Sequence, residues 1–84
     1  MSDNSEIIFY GDPSCADSRQ VKMFLLQKGI TYQWVDIYRD AKGRAFVESV
    51  KDGKLSVPTL RFPDGSVLVE PSISELAERL GIEV

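Results

Sequence analysis

Ile7-Ile8-Phe9-Tyr10-Gly11-Asp12-Pro13-Ser14-Cys15-Ala16 is the stretch on which the fold turns. Ile7 to Tyr10 is a short apolar run rich in β-formers. Gly11-Asp12-Pro13 is a turn cluster that ends it, so the run reads as a buried strand. Beyond the turn, Ala16 to Lys28 sets Val21, Phe24, Leu25 and either Met23 or Leu26 on one helical face, and Gly29 stands where a helix C-terminus favours it. Ser14 is the expected cap of that helix. The quoted stretch is therefore a strand-to-helix turn with Cys15 inside it.

Working outward, Tyr32 to Ile37 returns to strand character. Asp40 is placed to cap a second helix from about Ala41 to Lys51, with Ala45 or Phe46, Val47 and Val50 inward and Asp52-Gly53-Lys54 ending it. Ser56 to Phe62 and Val67 to Val69 flank the turn Pro63-Asp64-Gly65-Ser66 and read as a β-hairpin. Pro58 can only open its strand, because it has no N–H to give a ladder. Ser72-Ile73-Ser74-Glu75 matches a capping box, Ile73, Leu76, Ala77 and Leu80 form one stripe, and Gly81 stops the helix. The order is β-α-β-α-β-β-α. Two strands joined through a helix are expected to be parallel with a right-handed crossover. The prediction is an α/β domain with a four-stranded mixed sheet covered by three helices.

The 84 residues leave room for one domain, read as residues 6–84 behind a frayed end at residues 1–5. A net charge of −3 offers no nucleic-acid footprint, and no apolar run is long enough to span a bilayer. The polar start of the chain lacks an apolar signal segment, so a cytoplasmic monomer without membrane or nucleic-acid partners is expected. The chain has one cysteine and no histidine. One cysteine cannot make an internal disulfide, and without histidine the usual protein-only zinc sites and a Cys-His or Ser-His pair are not available. No metal ligands are expected.

Covalent chemistry must then lean on Cys15, or on carboxylates and lysines. The unpaired amides and partial positive charge of a helix N-terminus stabilise a thiolate. Arg19 and Lys22, one and two turns on, would add to this, and Asp12 and Asp17 oppose it. Lone cysteines are often small buried hydrophobes, but a turn of Gly, Asp, Pro and Ser is a poor place for deep core. Val57-Pro58-Thr59 is the second feature. A cis bond before Pro58 would turn the Val57 backbone toward an incoming extended peptide. Glu70-Pro71-Ser72 is the third, read either as simple capping or as an anion site suited to a small-molecule carboxylate. Tyr10, Trp34 and Phe62 read as core or groove-wall aromatics. Lys42, Arg44, Lys51 and Lys54 read as a solvated face.

Taken together, Tyr10-Gly11, Cys15-Ala16-Asp17-Ser18, Ser56-Val57-Pro58-Thr59 and the run Phe62 to Ser72 resemble the glutaredoxin family, and the last run is similar to its bacterial glutaredoxin-like or mycoredoxin-like branch. The resemblance spans about residues 6 to 81. It implies a thioredoxin fold, a cis Pro58, Cys15 as nucleophile with Ser18 beside it, and a low-molecular-weight thiol in a groove formed by Tyr10, Val57, Pro58, Thr59, Glu70, Pro71 and Ser72. It further implies a thiol–disulfide oxidoreductase acting on mixed disulfides of proteins with glutathione or another small thiol, and no tightly bound cofactor. Three departures stand out. Ser18 occupies the place of the second cysteine of dithiol members, so the two-cysteine reduction of protein disulfides is lost. Ala16-Asp17 replaces the Gly-Phe of the monothiol branch that carries iron–sulfur clusters. Asp12 stands where glutathione-specific members usually have a lysine. The alternative function is a [2Fe–2S] carrier in which two chains and two small thiols supply four thiolates.

Overall fold

The structure is a computed structural model that describes residues 6–50 and 52–83. Residues 1–5, where a frayed end is expected, and the Lys51 position lie outside these. Seven elements follow in the expected order: β1 (Ile7–Gly11), α1 (Ala16–Gln27), β2 (Tyr32–Asp36), α2 (Ala41–Val50), β3 (Thr59–Arg61), β4 (Val67–Val69) and α3 (Ile73–Leu80). The strands form one sheet in the order β2-β1-β3-β4. β1 pairs with β2 in parallel, Phe9 opposite Trp34, and with β3 antiparallel, Phe9 opposite Leu60. β3 and β4 make the hairpin. This is the four-stranded mixed sheet with three helices that defines a thioredoxin fold.

Alternation along β1 splits the core in two, because successive side chains leave opposite faces of a strand. Ile7 and Phe9 pack with Val21, Phe24 and Leu25 of α1 and with Leu76 and Ala77 of α3. Ile8 and Tyr10 face α2, where Val35, Ile37 and Val47 complete a smaller cluster. Phe9 meets Trp34 edge-on at 5.0 Å, and Tyr10 stacks on Phe46 at 4.9 Å. Such pairs add about 0.5–1.5 kcal/mol beyond the area they bury.

One inward face differs from the sequence expectation, and a second gains a residue. α1 turns Ser18, Val21, Phe24 and Leu25 inward and leaves both Met23 and Leu26 exposed. The inward positions follow i, i+3, i+6 and i+7 from Ser18, and Met23 and Leu26 fall outside that arc. α2 turns Phe46, Val47 and Val50 inward as expected, Phe46 rather than Ala45, and buries Gly43 as well. A Cβ on Gly43 would stand 2.5 Å from a Val35 methyl, so α2 approaches β2 as closely as it does only because that side chain is missing.

The helix ends are set locally. The Asp40 carboxylate accepts from the Gly43 amide at 3.0 Å, as expected of a cap. Ser72 and Glu75 form the full capping box: the Ser72 amide donates to Glu75 Oε1 and the Glu75 amide to Ser72 Oγ. Gly29 and Gly81 end α1 and α3 at φ of +69° and +72°. Arg79 ties α3 to the hairpin turn through Asp64 and Ser66 while lying 4.2 Å from the Phe62 ring centroid.

Candidate functional site

Cys15 itself, and not Ser14, is the N-cap of α1. The reason lies upstream. The Ser14 amide and hydroxyl both bond the Asp12 carboxylate at 2.8 Å, which turns Ser14 back into the loop. The Cys15 amide donates to the Asp12 carbonyl at 3.0 Å, closing a tight turn. Cys15 is half-buried, and its side chain makes no capping bond. The first amides of a helix have no intrahelical partner, so the thiol stands at a terminus rich in unpaired donors.

Ser18, one turn on, is buried, with 1 % of its surface exposed. Its hydroxyl accepts from the Asp12 amide at 3.3 Å. Gly11 makes room for this arrangement: a Cβ there would come within 2.9 Å of the Trp34 ring and 3.1 Å of Ser18 Oγ. Lys22 lies 5.0 Å above the Trp34 ring. Asp12, Pro13, Ser18, Arg19, Lys22 and Trp34 thus enclose a small cavity of about 50 Å³ on one flank of the turn. The two Ser14 bonds hold the Asp12 carboxyl below the ordinary aspartate range, backbone donor first and hydroxyl second, with Tyr38 contributing less.

A larger cleft of about 270 Å³ opens two residues past Cys15, where Asp17, Gln20 and Val21 of α1 face Pro58, Glu70, Pro71 and Ser72 together with Ile73 and Glu75 at the start of α3. The Val57–Pro58 bond is cis, as expected from the resemblance. The Pro58 carbonyl accepts from the Glu70 amide at 2.7 Å. Glu70 has φ of +50°, a left-handed conformation that is uncommon outside glycine and that concentrates at functional sites.

Four of the residues taken from the sequence therefore meet here: Pro58, Glu70, Pro71 and Ser72. Three do not line the cleft. Tyr10 is buried on the α2 face of the sheet, and Val57 packs against the same cluster. Thr59 is fully buried opposite Tyr10, and its hydroxyl donates to the Ser56 carbonyl at 2.7 Å. Of the two readings of Glu70-Pro71-Ser72, capping is present at Ser72. The Glu75 carboxylate of this chain already occupies the Ser72 amide. Sequence reasoning did not place Asp17, Gln20 and Val21 on the cleft, although their i, i+3, i+4 spacing marks one helix face.

Comparison with known proteins agrees with this geometry. The glutaredoxin family model matches residues 7–67. A Mycobacterium tuberculosis protein named as a glutaredoxin is 35 % identical over 74 residues, 88 % of each chain. Mycoredoxin 1 of Corynebacterium glutamicum is 29 % identical over 76 residues, 90 % of this chain and 94 % of that one. The solved structure of a point mutant of the thioredoxin-like protein BC3987 superposes with a TM-score of 0.81 at 32 % identity, over 93 % of this chain and 97 % of that one. A glutaredoxin of Archaeoglobus fulgidus shares the fold at a TM-score of 0.75 and 21 % identity, over 90 % and 86 %. With a cysteine capping the first helix, a cis proline at the opening of the third strand and a family match across both, this chain belongs to the glutaredoxin family of thiol–disulfide oxidoreductases, in its mycoredoxin-like part.

Proposed function

We propose that the protein is a monothiol oxidoreductase that removes a low-molecular-weight thiol from protein mixed disulfides through Cys15. The observation that carries this reading is the half-exposed Cys15 at the N-cap of α1, its sulfur uncommitted to capping, two residues before Asp17, which lines the cleft closed by Pro58 and the start of α3. The Cys15 thiolate attacks the small thiol's sulfur. A Cys15–small-thiol disulfide forms, the original S–S bond breaks, and the protein substrate leaves as a thiolate that takes up a proton. A second small thiolate then attacks the sulfur of the bound small thiol. The symmetric small disulfide departs and Cys15 returns as thiolate. One cysteine suffices, and Ser18 takes no covalent step.

The small thiol is the cosubstrate, glutathione or another of its kind, and the cleft is its proposed seat, with Pro58, Glu70, Pro71 and Ser72 as walls. The [2Fe–2S] alternative would draw one Cys15 from each of two chains. Visible absorbance of anaerobically purified protein is its signature. The direct test of the oxidoreductase is turnover of a peptide mixed disulfide by the wild type and by Cys15→Ser. Activity in the first and none in the second is the expected pair of results. Equal activity in both refutes it.

A further inference from the structure

A groove of about 610 Å³ runs along the outside of α1 and adjoins the cleft, sharing Gln20 and Ile73 with it. Its apolar lining includes Ala16, Met23, Phe24 and Ile73, and its charged lining residues are Arg19 and Lys28, with no carboxylate among the residues that form it. The Lys28 ammonium lies 5.9 Å from the Phe24 ring centroid, so cation and apolar floor adjoin. Met23 is 56 % exposed and Leu26, on the neighbouring arc, 70 %. α1 spends two large apolar side chains on solvent while the chain as a whole is acidic. Isolated exposed apolar residues need no explanation, but a contiguous apolar groove with a basic rim fits an apolar and acidic partner.

The groove begins one residue past the reactive centre, because Ala16, which lines it, follows Cys15 directly. We propose that it docks the polypeptide carrying the mixed disulfide: an extended segment with a large apolar side chain and, farther from its cysteine, an acidic one. The geometry gives the spacing. At about 1.5 Å per helical residue, Met23 lies about 12 Å and Lys28 about 20 Å along α1 from Cys15. An extended chain covers about 3.3 Å per residue, so the apolar anchor falls about four residues from the substrate cysteine and the acidic residue about six. The inference rests on Cys15 as the nucleophile and adds the recognition of the leaving protein, which the small-thiol cleft does not provide.

The test uses two peptides, each with a central cysteine as the mixed disulfide with 2-mercaptoethanol. One has Leu four residues and Glu six residues to either side of the cysteine; the other has Ser and Lys there. The wild type is expected to prefer the first by about tenfold in kcat/KM. Lys28→Glu and Met23→Ser should each remove most of that preference while turnover of hydroxyethyl disulfide, which has no polypeptide, stays at the wild-type level. Equal use of both peptides by the wild type, or a preference that survives both substitutions, overturns the proposal. Dimerisation that Met23→Ser abolishes, without any peptide preference, assigns the groove to a second copy and also overturns it. Affinity for the same peptides with alanine in place of cysteine separates the two claims. A binding preference without turnover sustains the docking surface and refutes the nucleophile.

Discussion

The Ser18 hydroxyl accepts a hydrogen bond from the Asp12 amide at 3.3 Å, one helical turn beyond Cys15 and out of solvent. The position where a dithiol enzyme keeps its resolving sulfur is here part of the support of the turn that presents Cys15. With no internal thiol to release it, a mixed disulfide formed at Cys15 on the proposed mechanism would last until an external thiol arrives.

Ser18→Cys should therefore gain reduction of protein disulfides such as those of insulin, because a thiol one turn away can attack in place of the external one. Cys15→Ser should lose this activity and the small mixed-disulfide activity together. The check is both assays on three variants at fixed thiol concentration. A Ser18→Cys protein with reactive Cys15 and no insulin reduction contradicts the placement of position 18.

The cleft should rank small disulfides by charge. Among the described residues that line it, Asp17, Glu70 and Glu75 are the charged ones, and the Glu75 carboxylate accepts from the Ser72 amide at the start of α3. A charge pair at 4 Å is worth about 1 kcal/mol in water, a several-fold effect on rate. Cystamine should thus be turned over faster than hydroxyethyl disulfide, and hydroxyethyl disulfide faster than glutathione disulfide. Salt should compress the series, and Glu70→Gln should bring its ends several-fold closer. A lead for glutathione disulfide at low salt contradicts the electrostatic reading.

Gly11→Ala should destabilise the fold by about 1–3 kcal/mol, the usual cost of overpacking. The added methyl meets the Trp34 ring at 2.9 Å and Ser18 Oγ at 3.1 Å. For a domain of this size that is a fall in Tm of about 4–8 °C per kcal/mol. Thermal unfolding with mixed-disulfide activity on the same samples checks it, and a variant as stable and active as the wild type contradicts it.

Acid should unfold the protein partly through Asp12 and Asp64. Ser14 holds the first carboxyl below its ordinary range; the Ser66 hydroxyl and amide, then Arg79, hold the second there. A folded-state value below the unfolded one gives stability that is present above about pH 4 and lost as the pH falls through the lowered value. Urea midpoints followed from pH 7 to acid should fall less steeply for Asp64→Asn than for the wild type. An unchanged slope removes Asp64 from the acid transition.

Much of this was legible because local chemistry and the global fold agree. The capping box at Ser72 and Glu75, the Asp40 cap and the glycine after α1 each mark an end that the structure uses. The hairpin strand was shorter than its β-rich run, because the chain reaches the ladder only after Pro58. Ser14 misled because Asp12 outcompetes the helix for its hydroxyl. Met23 and Leu26 misled because composition cannot tell which flank of an apolar arc meets the sheet. Tyr10 and Thr59 belong to a face set by strand alternation, and nearness in sequence to the motif did not bring their side chains to the cleft.

Intact mass of the protein after a single turnover of a peptide mixed disulfide, quenched before any second thiol is added, tests the central claim most directly. The account predicts one adduct, the small thiol on Cys15, with the peptide released in reduced form. The peptide itself on Cys15, or an unmodified Cys15 beside reduced peptide, contradicts it.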